Sequence, residues 1–130
     1  MKILQFAFCL LISLNAASAA LTVKIDEPKR TGTKAIIKLM MKNTFAEKIE
    51  SARAVLFLID DQGKVVGQSI QWVIGGKKYH PVLAPDASTT FNFVVSTDKP
   101  FTKTKLTFSR IILDGGKLAD TQKDVEFVAK

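Results

Sequence analysis

His80 is the only histidine of this 130-residue chain. Its imidazole is the side chain that titrates nearest neutral pH, so it is the natural first candidate for acid, base or metal-ligand chemistry. Each of those tasks needs partners. A typical zinc site takes further His or Cys ligands, but no second histidine exists and the single cysteine, Cys9, lies in the N-terminal apolar run. No serine sits in the glycine-framed elbow that presents a hydrolase nucleophile. Asp60-Asp61-Gln62-Gly63 lacks the alternating ligands and closing Glu of a calcium loop, and Asp with Gly in a tight turn explains it. Gly75-Gly76-Lys77-Lys78 lacks the spacing of a phosphate loop. The sequence therefore predicts no catalytic residue, no metal, no cofactor and no enzyme.

What remains is binding chemistry. Lys77, Lys78, Tyr79 and His80 form a mixed basic and aromatic loop, of the kind that carries recognition on a rigid scaffold. Lys103, Lys105 and Arg110 lie on or near one late strand, where charge also protects an edge from pairing with other chains. These seven residues are the expected partner contacts. Trp72 shares strand parity with Ile70 and Ile74, which argues for the core. Were that face exposed instead, it would become the best binding surface of the chain.

The elements that must position these residues read as all-β. Leu21, Val23 and Ile25 alternate with polar residues, predicting a strand over 21–27 that Pro28 ends. Residues 34–43 alternate again, with Ala35, Ile37, Leu39 and Met41 on one side and Lys38 and Lys42 on the other. Residues 51–60 are apolar on both sides, predicting a central strand buried on two faces. After the turn at Gly63, residues 64–74 return as its partner, with Val66, Ile70, Trp72 and Ile74 on one face. Strands over 88–96 and 104–113 follow, the first facing inward through Phe91, Phe93 and Val95. The second does so through Leu106, Phe108 and Ile112. A last segment carries Val125 and Phe127. About seven antiparallel strands without a convincing helix predict a β-sandwich.

The N-terminus sets the compartment. Lys2, the apolar run Ile3 to Leu14 and the small residues Ala17-Ser18-Ala19 have the layout of a secretory signal peptide cleaved after Ala19. The rest, residues 20–130, reads as one domain with no transmembrane segment. It holds 18 basic and 12 acidic residues, for a net charge of +6. Fifteen of the cations are lysines and only Arg30, Arg53 and Arg110 are arginines. That balance describes a hydrated basic surface better than a bidentate phosphate site. It favours anionic envelope polymers as partners, alongside an unidentified protein. Nucleic acid is a poor partner for an exported chain.

The core of the chain resembles the immunoglobulin-like FxLYD domains of secreted bacterial proteins, themselves similar to late-embryogenesis-abundant, water-stress-type sandwiches. Three pieces carry the resemblance: Asn43; Leu56-Phe57-Leu58-Ile59-Asp60 leading into Asp61-Gln62-Gly63-Lys64; and Leu83-Ala84-Pro85-Asp86 ahead of Thr90-Phe91-Asn92-Phe93. In the middle piece Leu56 stands for the family's Phe and Ile59 for its Tyr. In the last, Asp86 replaces a common Gly. The resemblance covers about residues 35–96. It implies an immunoglobulin-like fold and an envelope setting, and carries over no catalytic residue. The expected function is an exported, non-enzymatic binding or structural module that recognises its partner through loops or an edge strand. The alternative is a small periplasmic chaperone or inhibitor-like protein that binds a protein client.

Overall fold

The computed structural model describes residues 20–76 and 81–128; the expected signal peptide lies outside them. Eight strands run in the order β1 (Leu21–Ile25), β2 (Lys29–Thr31), β3 (Lys34–Asn43), β4 (Ile49–Ile59), β5 (Val65–Gly75), β6 (Ser88–Ser96), β7 (Lys103–Leu113) and β8 (Val125–Phe127). They form two sheets. In the first, β3 is central, with β6 on one side and β1 and β2 on the other, and β8 joins the far edge of β1. In the second, β4 lies between β5 and β7. The pairing is antiparallel except for β1 with β8, which run parallel from Leu21↔Val125 to Val23↔Phe127. The chain is an all-β sandwich.

The alternation in the sequence explains the layering. On β3, Ala35, Ile37, Leu39 and Met41 are buried while Lys34, Lys38 and Lys42 are exposed. On β4, Ala52, Ala54, Leu56 and Leu58 point into the same core. Each large aliphatic side chain so buried contributes about 1.5–3 kcal/mol. The inner face of β6 adds Phe93 and Val95, with Phe91 edge-on to Phe93 at a ring-centroid distance of 5.2 Å.

Several expectations need correction. The first strand stops at Ile25, and β2, which the sequence reading missed, follows the break at Asp26-Glu27-Pro28. Pro28 has no N–H for the ladder, so the chain leaves β3 and returns to it three residues later. Only one face of β4 is fully buried; Arg53, Val55, Phe57 and Ile59 are half-buried on the other. The ladders of β4 carry four register irregularities, and two of them overturn the expected parity of β5 and β7. Ala52 pairs with Ile74 but Arg53 pairs with Trp72, so Val73 is an extra residue in β5. Ala54 pairs with Phe108 but Arg53 pairs with Arg110, so Ser109 is extra in β7. A bulge turns every later side chain to the other face. Ile74 therefore points inward and Trp72 outward. On β7 it is Ile111, fully buried, that faces the core rather than Ile112.

The turn before β8 is built on one carboxylate. Asp120 Oδ1 accepts the N–H groups of Gln122 and Lys123, each at 2.9 Å. The bond from Lys123, then that from Gln122, hold the Asp120 carboxyl below its ordinary value. A value lowered by folding means a contribution that is complete above the ordinary pKa and lost as pH falls through the folded one. An NMR titration should place the Asp120 midpoint below 3.8, with the Gln122 and Lys123 amides shifting in step. A midpoint at or above that value would count against the turn as described.

Candidate functional site: the outer face of the three-stranded sheet

The outward residues of β4 set the centre of this face, and the strand register sets what flanks them. Arg53, Val55 and Phe57 lie beside Trp72, Ile70 and Gln68 of β5. Ile59 lies beside Val65. On the other side, Arg53, Val55, Phe57 and Ile59 lie beside Arg110, Thr107, Lys105 and Lys103 of β7. Neighbouring strands are about 4.8 Å apart. The result is an apolar stripe over β5 and β4 with a line of cations one strand away. Ile70 is 53% exposed and Val65 52%. Contiguous apolar surface of this kind, rimmed by polar groups, marks an interaction site more often than a solvated face.

The upper end of the stripe is fixed by Arg53. Its Nε donates to Ser109 Oγ at 2.9 Å, and that hydroxyl donates back to the Arg53 carbonyl at 3.3 Å. This places the guanidinium carbon 5.5 Å from the centre of the Trp72 ring. Such a pair contributes about 0.5–1 kcal/mol when partly exposed. Gly76 lies against the same indole, so close that any Cβ there would overlap the ring. Trp72 is thus neither core nor a bare stacking surface. It is half-buried, held between β5 and Arg53, and it stiffens the end of the stripe.

Of the seven residues expected to contact a partner, Lys103, Lys105 and Arg110 come together on this face. The other four, Lys77, Lys78, Tyr79 and His80, lie outside the described residues. The sequence reading missed Val55, Phe57 and Ile59 as surface residues, because an unbroken apolar run looks the same whether or not a layer covers its second face. One signal was available: Lys103 and Lys105, two residues apart, share one face of their strand, and two cations on a face argue against a layer covering it. Among the described residues no carboxylate lies on the platform. Its groups are suited to contact and charge pairing. Among the described residues no group of three or more His, Cys, Asp or Glu could hold a metal ion, and no helix is long and apolar enough to cross a membrane.

The edges of the sheet differ. Near its end β7 is covered on its free side, where Leu113 N–H bonds the Lys117 carbonyl at 2.7 Å and Ala119 N–H bonds the Ile111 carbonyl at 3.0 Å. Its first half carries Lys103 and Lys105, which discourage pairing with another chain. β5 carries no charge from Val65 to Gly75. It meets the other sheet at its start, where Thr97 donates its hydroxyl to the Val66 carbonyl at 2.9 Å.

With the sandwich defined, its likeness to solved structures follows. The IrmA protein of Escherichia coli superposes with a TM-score of 0.57 at 9% identity, covering 86% of this chain and 93% of that one. A protein described as ApaA from Bordetella pertussis gives 0.55 at 12% identity, covering 78% and 87%. The structural-genomics target SoR45 gives 0.53 at 16% identity, covering 78% and 79%. At such identities the likeness is one of fold. No family model matches the chain, and neither does any curated protein.

Proposed function

We propose that this chain is an exported, non-enzymatic binding module that holds a protein partner on the outer face of its three-stranded sheet. The observation that carries the reading is the pairing of an exposed apolar stripe, centred on Val55, Phe57 and Ile70, with Lys103, Lys105 and Arg110 along one side. A complementary partner presents an apolar strip bordered by carboxylates. Apolar contact supplies affinity that salt does not remove, while the cations set orientation and encounter rate. Export rests on the N-terminal sequence. Ala20, the first residue after the expected cleavage point, is 6% exposed. Thr44 Oγ1 accepts its N–H at 2.9 Å and donates to its carbonyl at 2.7 Å, so the folded domain is anchored from that residue on. The FxLYD resemblance supports the envelope setting.

The test is affinity capture from an envelope extract at low and high salt, with the bound proteins identified by mass spectrometry. The expected result is one defined protein retained at high salt, and lost when Phe57 and Ile70 are both changed to Ser. Charge reversal at Lys103, Lys105 and Arg110 should weaken the same complex roughly 10-fold or more at low salt, with a smaller loss at high salt. Capture that is unchanged in the Phe57→Ser/Ile70→Ser variant would overturn the assignment of this face.

A further inference from the structure

We infer that the outer face of the other sheet is a binding site for a linear acidic polysaccharide, separate from the platform just described and independent of it. The argument begins with where the acids sit. Of the twelve Asp and Glu residues only Glu50 and Glu126 lie within strands, whereas ten Lys and Arg residues do. The acids are used in turns: Asp60 Oδ1 accepts the N–H groups of Gln62 at 2.9 Å and Lys64 at 2.8 Å, and Asp120 does the same before β8. The flat sheet surfaces are left with the positive charge.

That charge is ordered on β3. Its outward residues run Lys34, Ile36, Lys38, Met40, Lys42, and the three lysines are exposed. Four residues of extended chain place successive ammonium groups about 13–14 Å apart. Beside them in register, the outward row of β6 supplies Ser96, Asn92, Thr90 and Ser88, opposite Lys34, Lys38, Met40 and Lys42 respectively. On the other side Lys24 stands beside Met40. A shallow groove of about 610 Å³ runs over Lys24, Met40, Lys42, Ser88 and Thr90. Asp26, whose N–H bonds the Lys38 carbonyl at 3.0 Å, lies beside Lys38 just past the end of β1, and Glu126 lies on β8. The outward rows of β3 and β6 themselves hold lysines, hydroxyl and amide groups with Ile36, Met40 and Val94, and no carboxylate.

The chemistry of the strip selects the ligand. A ladder of charges along one straight strand fits a polyanion lying parallel to it. Hydroxyl and amide groups alongside match sugar hydroxyls, which a bare charged surface would not address. The cations are lysines, point charges that suit scattered carboxylates better than the bidentate demand of phosphate. The strongly exposed large hydrophobics of this face are two separate valines, Val94 on β6 and Val128 at the groove. It offers no aromatic or aliphatic wedge to enter a lipid layer.

The purified protein should bind an immobilised polyuronate with an affinity that falls steeply with salt. Changing Lys34, Lys38 and Lys42 to Gln should weaken binding on the order of 100-fold, each lysine removed costing about 5-fold near an anionic surface. Changing Lys103, Lys105 and Arg110 to Gln removes the same charge from the opposite face and should weaken it less than ~3-fold. Thermal unfolding of both variants should match the parent, because the altered side chains are exposed. Asn92→Ala should cost a few-fold on polyuronate and nothing on inorganic polyphosphate. Equal losses in the two triple variants would overturn the inference, because net charge alone would then explain binding. Tighter binding to vesicles of anionic phospholipid than to polyuronate would overturn it in favour of a membrane surface.

Discussion

Replacing Asn43 with Ala should cost about 3 kcal/mol or more, the largest effect expected of any polar substitution in the described fold. Asn43 is fully buried at the end of β3. Its Nδ2 donates to the Leu83 carbonyl at 2.9 Å and to the Glu47 carbonyl at 3.0 Å, and its Oδ1 accepts the Phe45 N–H at 2.8 Å. Its backbone takes part as well: Asn43 N–H bonds the Ala87 carbonyl at 3.0 Å, and its carbonyl accepts the Asp86 N–H at 2.7 Å. Two crossings between the sheets meet here, 44–48 leading to β4 and 83–87 leading to β6. Truncation leaves the Phe45 N–H and the Glu47 carbonyl without the partner that satisfied them, while the Leu83 carbonyl keeps only the Ile49 N–H at 2.9 Å. Each unsatisfied buried group costs about 1–3 kcal/mol. Urea denaturation should show a lower midpoint at unchanged slope. Asn92→Ala, exposed on the face of β6, should stay within about 0.5 kcal/mol of the parent. Asn43→Asp keeps the acceptor for Phe45 but loses both donated bonds and buries a carboxyl, so it should be no better than Ala near neutral pH. A loss below about 1 kcal/mol in Asn43→Ala would mean that water replaces the amide, and that the crossings do not depend on it.

The sequence reading succeeds wherever alternation is unbroken. The expected strands over 34–43 and 88–96 match β3 and β6 to the residue, because a period of two names both the element and its buried face. It fails where the backbone adds a residue without a sequence signal. The bulges at Val73 and Ser109 turn Trp72 outward and Ile111 inward, and nothing in Gln71-Trp72-Val73-Ile74 or Ser109-Arg110-Ile111-Ile112 announces them. β2 escaped notice because Lys29, Arg30 and Thr31 are all exposed, so no apolar pattern exists to be read. The parallel pairing of β8 with β1 joins the two ends of the domain, a relation that local pattern cannot encode. For the candidate site, Lys103, Lys105 and Arg110 were legible because cations on a strand are conspicuous. Their apolar neighbours were not, since half-exposure of Phe57 depends on the absence of a third layer. The lysine ladder of β3 was visible as charge, but its hydroxyl companions required the β3–β6 register.

Register also joins the two proposed surfaces. β3 and β4 are consecutive, and each is the centre of its own sheet. Each therefore turns one side to the common core and the other to solvent. The inner sides are interchangeable in character, Ile37 and Leu39 against Leu56 and Leu58. The outer sides diverge, with lysines spaced along β3 and an apolar run along β4. Core packing does not require that divergence, because either outer pattern is compatible with the same interior. The difference is the physical basis for giving the two faces different ligands, one removed by salt and one resistant to it.

Gly75→Ala should cost more than about 3 kcal/mol and belongs among the most damaging substitutions in the chain. Gly75 ends β5 opposite Ser51, is buried, and has a φ of +51°. Its N–H bonds the Pro81 carbonyl at 3.1 Å. A side chain in this left-handed region costs roughly 1–2 kcal/mol by itself. Here a Cβ would also overlap the carbonyl oxygen of Glu50, a backbone atom held in β4 that cannot swing away. Relief requires separating β4 from β5 at the point where Trp72 is held by Arg53. Gly63→Ala isolates the first cost: its φ is +81°, but a Cβ there would meet nothing within 4 Å. That variant should lose about 1–2 kcal/mol and keep the parent's fluorescence. Because Trp72 is the only tryptophan, its emission reports the β5 end directly. The Gly75→Ala protein should show red-shifted emission while still folded, together with weaker capture of the protein partner. Equal stability losses in the two variants, with unshifted emission in both, would show that the close approach of Gly75 to Glu50 adds nothing beyond the dihedral cost.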